Sequence, residues 1–139
     1  MDLFEVKLKY QEAIGDGRLA SNTESYIVEA FNYTDAEAVI TEMVERYSYI
    51  TPEIKSMKPV KYSDIFTNAS GSIWYKVDIK LLAEVTDEGK EKWVKQSMLV
   101  QGTSIDDASK TLKSNLANTS ADWTSVAIKE TKIVDIIRK

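Results

Sequence analysis

The chain has 139 residues, 18 Lys plus Arg against 22 Asp plus Glu, a formal net charge of −4, and neither cysteine nor histidine. That length fits one domain or two small halves, and the composition excludes a disulfide framework, a Cys/His zinc site, a cysteine nucleophile and any His general base. The apolar fraction of 43% and the charged fraction of 29% are those of a folded globular chain, and no apolar run approaches the ~18 residues of a membrane helix.

In chain order, Phe4, Val6, Leu8 and Tyr10 alternate with Glu5, Lys7 and Lys9, the period-2 pattern of a half-buried strand. Gly15-Asp16-Gly17 supplies residues that tolerate positive φ, so a hairpin turn is expected there, followed by a second strand over Ser25 to Ala30. Thr34-Asp35-Ala36-Glu37 reads as a capping box that opens a helix. Ala36, Ile40, Met43, Val44 and Tyr47 fall on one face of that helix, which Thr51-Pro52 ends. A third strand is expected around Lys58 to Ile65, with Pro59 marking an edge or a strand start.

The small, polar run Thr67 to Ser72 reads as a linker. Beyond it Tyr75, Val77, Ile79, Leu81, Ala83 and Val85 line one face of a long strand, Thr86 to Lys90 turns, and Trp93 to Val100 returns. Ser104-Ile105-Asp106-Asp107 opens a second helix with Ala108, Leu112 and Leu116 as its apolar stripe, and Trp123 to Ile133 gives the last strand.

The two halves match each other. Phe4 to Lys9 aligns with Tyr75 to Lys80, Asp16-Gly17-Arg18 with Glu88-Gly89-Lys90, Tyr26 to Ala30 with Met98 to Gly102, and Lys61 to Phe66 with Lys132 to Ile137, at offsets of 71 or 72 throughout. The expected fold is therefore α+β: a tandem duplication of a strand-strand-helix-strand unit, with six mostly antiparallel strands and two helices about a pseudo-twofold axis. Residues 1–139 are expected to form a single domain of two repeats, 1–67 and 72–139.

Phe4 to Lys7, Lys61 to Phe66, Trp74 to Val77, Met98 to Val100 and Ala127 to Ile133 resemble the domain of unknown function 4494 family, small uncharacterised proteins of Bacteroidetes and their phages and mobile elements. The resemblance spans nearly the whole chain and carries no catalytic residue. It implies a bacterial or phage cytoplasm. From the residues themselves, the chain start lacks the pattern of a signal peptide and the missing cysteines fit a reducing compartment, so the cytoplasm is again the expectation.

Residues 1–69 hold 7 basic and 12 acidic groups, and residues 70–139 hold 11 and 10, so an anion-seeking surface belongs in the second half. Lys58 matches Lys129 and Lys61 matches Lys132; brought to one axis with Tyr62 and Trp123, they would hold phosphates and stack a base. Trp74 and Trp93 have the opposite parity to the apolar residues of their strands and are expected at an interface or ligand surface. The helix glutamates Glu37, Glu42 and Glu45 and the pair Asp106-Asp107 read as solvated or cap-stabilising acids. With no nucleophile–base pair and no phosphate loop, the chain is read as non-enzymatic, without cofactor or metal. The expected function is a binding module for a nucleotide-like anion, one version being a phage protein that sequesters a host signalling nucleotide. The alternatives are a protein–protein assembly module, homo-oligomeric and without a small ligand, and an accessory protein for single-stranded nucleic acid.

Overall fold

The computed structural model describes residues 1–47, 52–119 and 121–138. The chain is α+β, with eight strands and two helices: β1 (Asp2–Gly15), β2 (Arg18–Ala30), α1 (Tyr33–Tyr47), β3 (Glu53–Val60), β4 (Asp64–Phe66), β5 (Ile73–Val85), β6 (Glu91–Gly102), α2 (Ile105–Asn115), β7 (Trp123–Glu130) and β8 (Ile133–Ile137). Two compact units result, one of Met1–Lys61 with Lys132–Lys139, the other of Tyr62–Thr131. Among the described residues, no helix is long and apolar enough to cross a membrane.

Eight strands rather than six arise because each expected third strand is two strands. The segment expected around Lys58 to Ile65 breaks after Val60, and the one expected over Trp123 to Ile133 breaks after Glu130. The chain changes unit at both breaks. β3 pairs antiparallel with β1, whereas β4 runs parallel to β6 through Asp64↔Met98, Ile65↔Leu99 and Phe66↔Val100. Likewise β7 pairs antiparallel with β5, whereas β8 runs parallel to β2 through Tyr26↔Asp135, Ile27↔Ile136 and Val28↔Ile137. The sheets have the orders β3-β1-β2-β8 and β4-β6-β5-β7. Pro59 sits on β3, an edge strand, the place in a sheet where proline is tolerated.

In the first unit, Phe4, Val6 and Leu8 of β1 and Tyr26, Val28 and Ala30 of β2 turn one sheet face toward Ala36, Ile40 and Val44 of α1. Alternation in the strands and the helical spacing agree on this face, which is why the pattern is readable. The ring of Phe4 meets that of Tyr33 at 5.1 Å and 56°, closing the start of the helix over the sheet. The Tyr26 hydroxyl donates to Glu24 Oε2 at 2.8 Å; burial and that carboxylate hold the phenol well above its ordinary range. The turn has positive φ at both Asp16 (51°) and Gly17 (74°), the requirement of a two-residue hairpin that follows strand twist. The Thr51 stop and the Tyr47 side chain lie outside what the structure describes.

The cap of α1 differs from the expected Thr34–Glu37 box. Asn32 Oδ1 accepts from the Asp35 backbone N–H at 2.8 Å, and Asp35 Oδ2 accepts from the Phe31 N–H at 3.0 Å. The box is thus Asn32–Asp35, two residues earlier, because Asn and Asp satisfy these orphan donors as well as Thr and Glu would. Asn32→Ala is expected to cost about 1 kcal/mol in urea unfolding and Thr34→Ala close to nothing; equal costs would return the cap to Thr34.

In the second unit, Tyr75, Val77 and Ile79 of β5 and Met98 and Val100 of β6 pack against Ala108 and Leu112 of α2 and Leu116 at its C-cap, with Leu81, Trp123 and Ile128 at the margin. Here the cap is as expected: Ser104 Oγ accepts from the Asp107 N–H at 3.1 Å, and Asp107 Oδ2 accepts from the Thr103 N–H at 2.9 Å. Those Thr103 hydrogen bonds hold the Asp107 carboxyl below its ordinary range. The segment read as a linker is tied down inside this unit: Asn68 Nδ2 donates to Asp107 Oδ2 (3.1 Å) and to Thr111 Oγ1 (3.2 Å), and the Asn68 N–H donates to Gln101 Oε1 (3.0 Å). A Cβ on Gly71 would lie 2.6 Å from Gly102 backbone atoms, and one on Gly102 2.8 Å from the Ala108 nitrogen, so both glycines let backbones approach. The expected face of β5 fails at its end. The β5–β6 register shifts between Leu82 and Glu84, which inverts the parity beyond, and Val85 stands 56% exposed opposite Glu91.

Candidate functional site

The face of the second sheet away from α2 follows from the same alternation that builds its core. On β5 the residues between Tyr75, Val77, Ile79 and Leu81 are Lys76, Asp78, Lys80 and Leu82. The β6 partners of these are Leu99, Ser97, Lys95 and Trp93; the β7 partners of Lys76, Asp78 and Lys80 are Lys129, Ala127 and Thr124. Lys76, Lys80, Lys95 and Lys129 are all exposed. Two cross-strand pairs on this face are therefore lysine against lysine, Lys76 with Lys129 and Lys80 with Lys95. Like charges directly opposite each other on a sheet are destabilising.

Asp78 lies between the two pairs and is largely covered, its side chain 19% exposed. Its Oδ1 accepts from the Ser97 hydroxyl at 2.6 Å and its Oδ2 lies 3.8 Å from Lys95 Nζ. Both carboxylate oxygens are thus engaged within the sheet, and the face keeps a positive excess. Two residue pairs beyond Lys80 and Lys95, Trp93 stands opposite Leu82, 39% exposed, with its indole N–H donated to Glu91 Oε2 at 3.1 Å. The result is a row of cations leading to a partly open aromatic ring whose one polar atom is already held.

The residues expected from the sequence to bind the ligand do not form one cluster within either unit. Lys58 is on β3 and forms an ion pair with Glu5 at 3.6 Å, while Lys132 immediately precedes β8. β3 and β8 are the opposite edges of a four-stranded sheet, so about 14 Å of strand spacing separates them. Lys61 is exposed just past the end of β3. In the second unit Lys129 lies on the edge strand β7, while Tyr62, half-buried, leads toward β4 at the other edge. Trp123 pairs with Leu81 and packs on the core side, the face opposite to Lys129. Of the two interface tryptophans, Trp74 does point away from the α2 core but is only 3% exposed, so its ring offers almost no free surface. Trp93 is the exposed one.

The linear pattern alone does not single out Lys76, Lys80 and Lys95. Their signal was present in the alternation Lys76-Val77-Asp78-Ile79-Lys80, but their clustering depends on register across three strands. The acidic residues give no rival site. Glu42 pairs with Arg46 at 2.8 Å on an exposed helix face, and among the described residues no group of three acidic side chains is placed to hold a metal ion.

A family model described as "Domain of unknown function (DUF4494)" matches residues 2–139. No curated protein and no solved structure matches the chain.

Proposed function

The chain belongs to the DUF4494 family, whose description carries no activity, and from the geometry we propose that the protein is a non-catalytic binding module that captures a phosphate-bearing, nucleotide-like anion on the basic face of its second sheet. The observation that carries this reading is that two cross-strand pairs set lysine opposite lysine, Lys76 with Lys129 and Lys80 with Lys95. Repulsion between facing cations lowers stability in the free protein and is relieved when an anion sits between them. Lysines on edge strands are commonly protection against aggregation, but Lys76 and Lys80 are on β5, which is paired on both sides.

The tandem duplication belongs to the same reading and sharpens it. At an offset of 71, Lys76↔Lys129 corresponds to Glu5↔Lys58, and the latter is a complementary pair with an ion contact of 3.6 Å. The same two positions thus hold opposite charges in one half and like charges in the other. A like-charge pair standing where the other half keeps a complementary one supports a surface specialised for an anion. The setting is a bacterial or phage cytoplasm, and the sequestering of a nucleotide is one use of such a face.

Isothermal titration with ATP and with inorganic polyphosphate at low salt tests the proposal. The expected result is binding that Lys80→Glu/Lys95→Glu weakens at least tenfold, with Lys58→Glu near wild type. No binding of any phosphate-bearing anion, or equal binding by the double variant, overturns it. The assembly reading is favoured by one observation, the exposed apolar tip of the β5–β6 hairpin with Val85, Trp93 and Val94. A stable homo-oligomer that binds no anion would support it instead.

A further inference from the structure

We infer that the anion is an extended single-stranded nucleic acid, its backbone lying along the lysine rows and one base stacked on Trp93. This rests on the anion-binding reading of the same face. The distances select the ligand class. Lys76 and Lys80 are four residues apart on one strand, so the Lys76/Lys129 and Lys80/Lys95 pairs are separated by about 14 Å, and the Trp93 row lies about 7 Å farther on. The phosphates of a mononucleotide are contiguous and serve one lysine pair at a time. A strand spans both pairs with two of its phosphates, a further one lying between them, and still delivers a base to the indole.

Asp78 supports this choice over a bare polyphosphate. It sits between the two lysine pairs, with its side chain mostly covered. A continuous phosphate chain across the face would place negative charge beside this carboxylate. A nucleotide strand spaces its phosphates more widely than a polyphosphate and can turn the intervening one outward, away from this carboxylate. Trp93 supports a single strand over a duplex. Its indole N–H is already bonded to Glu91, which leaves the ring face as its means of contact. A duplex keeps its bases stacked on one another, whereas unpaired bases offer faces for stacking.

The test uses the full chain, a ten-residue oligothymidine, the same oligomer annealed to its complement, ATP and inorganic polyphosphate. Binding is followed by titration calorimetry and by tryptophan fluorescence. The expected result is quenching of the exposed Trp93 by the single strand and an affinity at least tenfold above those for ATP, polyphosphate and duplex. Four lysine–phosphate contacts predict a slope of log affinity against log salt of about −3, falling to about −1.4 in Lys80→Glu/Lys95→Glu. Trp93→Ala is expected to lose the quenching and about tenfold or more in affinity while keeping the salt slope. If polyphosphate binds as tightly as the oligomer, or the quenching survives in Trp93→Ala, the single-strand inference is wrong and the anion reading stands. If no anion binds, both are wrong.

Discussion

A chain stopped at Thr131 is expected to be about 4 kcal/mol less stable than the full chain, although it keeps all of β1, β2, α1 and β3. The reason is the exchange of strands between units. β8 is the strand that covers the outer edge of β2, and its residues Ile133 (6% exposed) and Ile137 are buried or packed against the first core. Burying a side chain of that size contributes roughly 1.5 to 3 kcal/mol, and the parallel ladder to Ser25–Val28 adds to it. The truncation also leaves β2 as an open edge, so concentration-dependent association is expected alongside the lower midpoint. Urea unfolding followed by circular dichroism, with sedimentation at two concentrations, makes the measurement. An unchanged midpoint would mean that β8 does not hold the sheet in solution.

The second large effect is in the other core. Leu112 is 1% exposed and is the middle residue of the stripe Ala108, Leu112 and Leu116, the means by which α2 covers Tyr75, Val77, Met98 and Val100. Ala108 contributes little volume on one side of Leu112, so the space it vacates is filled only in part. Leu112→Ala is therefore expected to cost about 3 kcal/mol, a fall in Tm of roughly 10 °C. Trp74, Trp93 and Trp123 all lie within Tyr62–Thr131, so tryptophan fluorescence reads this unit directly. Lys113→Ala, next along the helix but exposed, is the control and should change little. A loss below about 1 kcal/mol for Leu112→Ala would show that α2 is not the cover of this core.

Much of the core was legible from local pattern. The alternations Phe4-Val6-Leu8 and Tyr75-Val77-Ile79 fixed which strand faces look inward, and the helical spacing of Ile40 and Val44 fixed the face of α1. The hairpin at Asp16-Gly17 was legible because positive φ demands such residues. The cap of α1 was misread because Asn32–Asp35 and Thr34–Glu37 both satisfy the same chemistry two residues apart. The candidate site was the least legible part. Lys129 was noticed for matching Lys58, yet its sheet neighbour is Lys76, and Lys80 meets Lys95 only through a register that a bulge near Ala83 interrupts.

The sequence by itself determined the α+β class, the two hairpins, the inward faces of their strands and the absence of cysteine and histidine chemistry, since each of these depends on residues near one another in the chain. Tertiary structure alone decided that each expected third strand divides, that β4 joins the second sheet and β8 the first, and that lysines from β5, β6 and β7 share one face. Side-chain alternation fixes which way a residue points but not which strand lies beside it. That choice is made by burial and backbone hydrogen bonding over the whole chain, and it is this choice that assembles the basic face.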